Sequence, residues 1–82
     1  MTKQIGIVCG EFHRNEVEEM LAFASDAANQ SGLEVGEVVW VPGSMEVPLA
    51  TTRLLEREEI VGVACLGIIE KGETQHGLAM GQ

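Results

Sequence analysis

Three short apolar runs, Gln4 to Cys9, Val35 to Val41 and Ile60 to Leu66, alternate with two segments of helical periodicity, and each run gives way at once to glycine or proline. That alternation constrains the fold more than any other feature of the chain. Near-continuous hydrophobicity suits strands covered on both faces. Strands separated by helices rather than by tight turns pair in parallel, because a parallel connection must cross back over the sheet. The expected architecture is therefore α/β, a three-layer αβα sandwich on a parallel sheet, with right-handed crossovers and strand order 2-1-3.

The connecting segments support this reading residue by residue. Asn15 with Glu18 three residues on has the form of a capping box. Val17, Met20, Leu21, Ala24 and Ala28 then recur at helical spacing until Gly32 stops the helix. Pro48 fits only the first turn of a second helix, because deeper in it would remove a hydrogen bond and clash with the preceding turn. Val47, Ala50, Leu54 and Leu55 mark that helix's expected buried face. Thr74 to Gln82 reads as the opening turns of a third helix without a closing signal, which would leave the third strand as an exposed apolar edge. The expectation is one domain over residues 1–82, the front part of a longer fold.

Composition narrows the partners. With 45% apolar residues and only Phe12, Phe23 and Trp40 as aromatics, the core must come from Val, Ile, Leu and Ala. Thirteen acidic against five basic side chains give a net charge of -8, the wrong sign for nucleic acid or an anionic membrane. Cys9 and Cys65 fall inside strand-like runs without a Cys-x-x-Cys pattern, as small buried hydrophobes of a reducing compartment would. No signal-peptide pattern or apolar stretch of membrane-spanning length appears, so the cytoplasm is the expected location.

Parallel strands deliver their following loops to one rim, where ligands of open α/β sheets bind. Three loops meet there: Gly10-Glu11-Phe12-His13, Gly43-Ser44-Met45-Glu46, and Gly67 to His76. Phe12 can stack on a planar heterocycle or anchor its loop. Glu46 is either a first-turn helix charge or a carboxylate accepting hydrogen bonds from hydroxyls and amines. Ser44 is a candidate N-cap or a binding hydroxyl. Gly72-Glu73-Thr74-Gln75 offers backbone amides at a helix start, suited to an anion but without the lysine and spacing of a P-loop, and Lys71 lies beside it. His76 can take and give a proton near neutral pH. His13 has the same generic capacity, and two isolated histidines make no metal site.

Val41-Pro42-Gly43-Ser44-Met45-Glu46-Val47-Pro48-Leu49-Ala50 resembles a motif of the 6,7-dimethyl-8-ribityllumazine synthase family. Leu66-Gly67-Ile68-Ile69-Glu70-Lys71-Gly72-Glu73-Thr74-Gln75-His76 resembles the family's Leu-Gly-x-x-Ile-x-Gly-[Glu/Ala]-Thr-x-His signature, and Gly10-Glu11-Phe12 matches its stacking-aromatic loop. The resemblance implies a flavodoxin-like sheet in which a fourth strand continues the order 2-1-3. It implies a transferase of riboflavin biosynthesis that condenses 5-amino-6-ribitylaminouracil with 3,4-dihydroxy-2-butanone 4-phosphate and releases phosphate, without a cofactor. By position, Phe12 would stack on the pyrimidine, Ser44 and Glu46 would hold the ribityl chain, and backbone at Met45 and Ile69 would fix the ring. The Glu73 amide and Thr74 would bind phosphate, and His76 would relay protons. His13 stands where the family often has Asn, and Glu70 fills a usually apolar slot. The resemblance also implies pentamers or larger shells, with an arginine, a lysine and a neighbouring subunit's aromatic drawn from beyond Gln82. The alternatives are an archaeal-type riboflavin synthase, or a flavodoxin-like binding or shell-forming module without catalysis.

Overall fold

A computed structural model describes residues 3–68. The chain runs through strand β1 (Gln4–Gly10), helix α1 (Arg14–Gln30), β2 (Glu34–Val41), a single 3-10 turn (Ser44–Glu46), α2 (Val47–Leu55) and β3 (Ile60–Leu66). The strands form one parallel sheet in the order β2-β1-β3, as the alternation of apolar runs and helices requires. This is an open, flavodoxin-like α/β sheet, with β1 in the centre and hydrogen-bonded on both sides.

Side chains alternate across β1, and each face acquires its own helix. Ile7 and Cys9 are fully buried with Val17 of α1, and Met20, Leu21, Ala24, Trp40 and Leu66 pack around them. Val8 points the other way, into a cluster with Val41 and Leu54 that Val47, Ala50 and Val63 complete. The helical residues expected to face the sheet are thus the ones that do, Leu55 excepted. Leu55 closes α2 and is 50% exposed. Val47, Ala50 and Leu54 already occupy the packed stripe, and one further 100° step carries Leu55 away from it.

The helix ends obey local rules that the sequence showed only in part. Ser31 caps α1, and Gly32 follows at φ 82. Leu33 N–H donates to Ala28 C=O at 2.9 Å and Gly32 N–H to Asn29 C=O at 3.2 Å, the paired bonds of a Schellman ending. Pro48 lies in the first turn of α2, as expected. The expected capping box does not form. Helix α1 starts at Arg14, one residue before Asn15, and no side chain caps it. The chain has already turned at His13, whose carbonyl accepts the Val17 N–H at 3.1 Å. Glu18 is drawn to the Arg14 guanidinium instead, with Nε 3.4 Å from its carboxylate.

Both flanking strands skip a residue opposite β1: the register passes over Gly36 in β2 and over Val61 in β3. Downstream of these bulges the strands run in step, so Cys9 lies beside both Trp40 and Leu66, and Gly10 beside Val41. At the opposite end of the sheet Arg57 pairs with Glu37 of β2 and with Glu59 at 3.0 Å, tying the segment after α2 to β2 and to the turn before β3. The Glu59 carboxyl is held below its ordinary value by its own backbone amide first and by the Arg57 guanidinium second.

The two cysteines differ, contrary to the common expectation for them. Cys9 is buried, and desolvation pushes its thiol up, against a smaller opposing pull from Arg14. Cys65 is exposed, with Thr51 Oγ1 of α2 lying 3.5 Å from its sulfur. In the folded 82-residue chain, a small maleimide should label Cys65 at least about tenfold faster than Cys9. Peptide mapping after a short pulse would check this, and equal labelling would contradict the burial difference.

Candidate active site

The rim after the strands is built from the in-step ends of β1, β2 and β3. Glu11 N–H donates to Val41 C=O at 2.9 Å, which joins the loop leaving β1 to the end of β2. A Cβ placed on Gly10 would lie 3.9 Å from Leu66 O and 4.0 Å from Gly67 Cα, so the exit of β3 passes on the other side of the same residue. All three candidate loops therefore depart from neighbouring points on one edge, the convergence that parallel pairing predicts.

In the first loop, Phe12 is half exposed rather than packed on the sheet. Its ring centroid lies 4.2 Å from that of His13, with the planes tilted by 60°. His13 is the one non-glycine residue of positive φ among the described residues, at φ 57 and ψ 51. Its Nδ1 lies 3.7 Å from the Glu16 carboxylate. Behind this turn the Arg14 guanidinium sits 4.1 Å above the Trp40 ring, flanked by the carboxylates of Glu11 at 3.9 Å and Glu18 at 3.4 Å. A cation on an aromatic face between two acids is a strap from the start of α1 to the end of β2.

The second loop begins with Pro42-Gly43 and tightens into the 3-10 turn over Ser44–Glu46, with Glu46 N–H donating to Gly43 C=O at 3.2 Å. Glu46, not Ser44, holds the N-cap position of α2, and its side chain does not cap the helix. The carboxylate instead folds back over Gly43: a Cβ there would come within 3.1 Å of Glu46 Oε1. Met45 projects outward and is 68% exposed. A groove of about 410 Å³ runs between β2 and α2, with Val39, Val41, Pro42, Glu46, Ala50 and Leu54 among the residues of its wall. Glu46 and Pro42 stand at the rim end of that groove; Glu37 and Arg57 line its other end.

Of the predicted site residues, Phe12, Met45 and Glu46 are thus on loops that share one rim, with Ser44 in the same backbone turn. Ile69, Glu73, Thr74 and His76 lie outside the described residues. No group of acidic, histidine or cysteine side chains among the described residues is arranged to hold a metal. No helix among them is long and apolar enough to cross a membrane. Sequence reasoning missed the Arg14 strap and the left-handed turn at His13. The first was accessible, since Arg14 opens a helix that must cross the strand end carrying Trp40. The second was not, because positive φ at a non-glycine residue has no reliable one-residue signal.

The model of the 6,7-dimethyl-8-ribityllumazine synthase family matches residues 2–81. The chain belongs to that family. A protein of Methanopyrus kandleri named 6,7-dimethyl-8-ribityllumazine synthase is 46% identical over 79 residues, which are 96% of this chain and 56% of that protein. Proteins of the same name from Halobacterium salinarum and Staphylothermus marinus are 40% and 42% identical over 73 residues, 89% of this chain and 55% and 49% of theirs. The chain spans about half the length of the curated relatives it matches. Within the lumazine synthase family, both quoted motifs fall inside the matched range, and the described part of them forms the rim.

Proposed function

We propose that the protein is a 6,7-dimethyl-8-ribityllumazine synthase, joining 5-amino-6-ribitylaminouracil to 3,4-dihydroxy-2-butanone 4-phosphate with release of phosphate. The observation that carries this reading is the rim itself. An exposed aromatic, a carboxylate over a glycine turn and the exit of the third strand converge there, within a chain of the family. Phe12 offers a face to the flat pyrimidine. Glu46, an acceptor once ionised, suits the hydroxyls of the ribityl chain. Backbone at Met45 and Ile69 fixes the ring, with the Ser44 hydroxyl beside the ribityl chain. The Glu73 amide and Thr74 receive the phosphate, and His76 carries protons during imine formation and phosphate loss. The substrates need orientation above all, and holding two reactants in register supplies much of such a rate. The complete protein assembles from copies of itself, as pentamers or larger shells, and works in the cytoplasm.

The test is to mix the full-length gene product with both substrates and follow lumazine fluorescence; binding of the pyrimidine without turnover would reject the enzyme. His76→Ala should slow product formation by about tenfold while leaving pyrimidine affinity unchanged. That is below the effect usual for a general acid–base residue, because positioning carries most of the catalysis. Unchanged kinetics would remove His76 from the proton relay.

A further inference from the structure

We propose that His13 is a positioning residue for Phe12, and so sets how tightly the pyrimidine is held; this rests on the reading of Phe12 as the stacking aromatic. Two independent observations meet at His13. Its backbone is left-handed, with φ 57 and ψ 51, in the position that ends the β1 loop and opens α1. Its ring centroid lies 4.2 Å from that of Phe12, with the planes tilted by 60°, so the two rings are in direct contact. An exposed phenylalanine in a short polar loop would otherwise sample several rotamers and lose that freedom when a ligand stacks on it.

The two roles of His13 are separable. The left-handed turn directs the loop, and glycine or asparagine can supply it. The imidazole restrains the Phe12 ring, and neither replacement can supply that. The Glu16 carboxylate stands 3.7 Å from His13 Nδ1 on the helix side. His13 touches no reacting atom in this arrangement and acts only through its neighbour.

His13→Gly and His13→Asn in the full-length gene product keep the turn and remove the ring. Each should raise the KM for the ribitylaminouracil by about threefold to tenfold, the worth of one aromatic pair, with kcat and the KM for the butanone phosphate unchanged. Thermal unfolding should stay within about 2 °C of the parent. A merely structural histidine would instead move the unfolding temperature, or kcat and both KM values together. A parental pyrimidine KM in both variants overturns the proposal if Phe12→Ala in the same assay still weakens the pyrimidine. If Phe12→Ala also leaves that KM unchanged, the stacking role of Phe12 fails, and the positioning role of His13 falls with it.

Discussion

Leu54→Ala is expected to cost about 3 kcal/mol of folding free energy, near the middle of the range for a buried leucine that leaves a cavity. Leu54 is 4% exposed and joins α2 to Val8 and Val41 beneath the sheet. Native domains have on the order of 5–15 kcal/mol in total, so one side chain holds a large share of it. The expected result is a lower urea midpoint with little change in slope.

The same site contains a sharper test. Gly6 lies in the central strand directly under Leu54, and a Cβ built on it would sit 2.8 Å from Leu54 Cδ1. Gly6→Ala alone should therefore destabilise by about 1 kcal/mol, because the leucine must shift within a packed cluster. In the Leu54→Ala background the added methyl enters the cavity and should recover part of the loss. The double-mutant cycle is expected to depart from additivity by about 1 kcal/mol or more in the compensating direction. Strict additivity would mean that α2 does not bear on β1 at Gly6. The absent side chain is thus what lets α2 approach the sheet, and a strand-forming residue there would hold the helix off.

That contact marks the boundary of what the sequence makes legible. Strand order and the assignment of helices to opposite faces follow from apolar period and crossover handedness, which local residues report directly. Gly6 does not announce that Leu54 is above it, since the pairing depends on how far the chain travels around the crossover. Asn15 and Glu18 had the right spacing for a cap, yet His13 turns the backbone first and Arg14 captures the glutamate, so one local interaction displaced another. Cys65 read as buried from its neighbours in the strand, but burial there depends on how far α2 extends over β3. In the site, the three-loop rim was legible from parallel topology alone. The pose of Glu46 over Gly43 was not, because it depends on a one-turn 3-10 segment that sequence patterns resolve poorly.

The Glu46 pose leads to the largest expected functional effect. On the proposed reading, a carboxylate at this rim accepts from the polyol of the ribitylaminouracil and would repel the phosphate of the butanone phosphate. On that reading each substrate has one productive orientation, with the hydroxyls toward the second loop. Glu46→Ala in the full-length gene product should raise the KM for the ribitylaminouracil about ten- to hundredfold, the worth of charge-assisted hydrogen bonds, while the KM for the butanone phosphate holds. Glu46→Gln, which keeps the shape and loses the charge, should fall between that variant and the parent. Gly43→Ala tests the geometry without altering the carboxylate: its methyl would stand 3.1 Å from Oε1, so the carboxylate must shift by a few tenths of an ångström. A rise in the pyrimidine KM of several-fold is expected from that single methyl. If Gly43→Ala and Glu46→Ala both leave that KM unchanged, the carboxylate is no more than a charge near the start of α2, and the ribityl chain must be held by other groups.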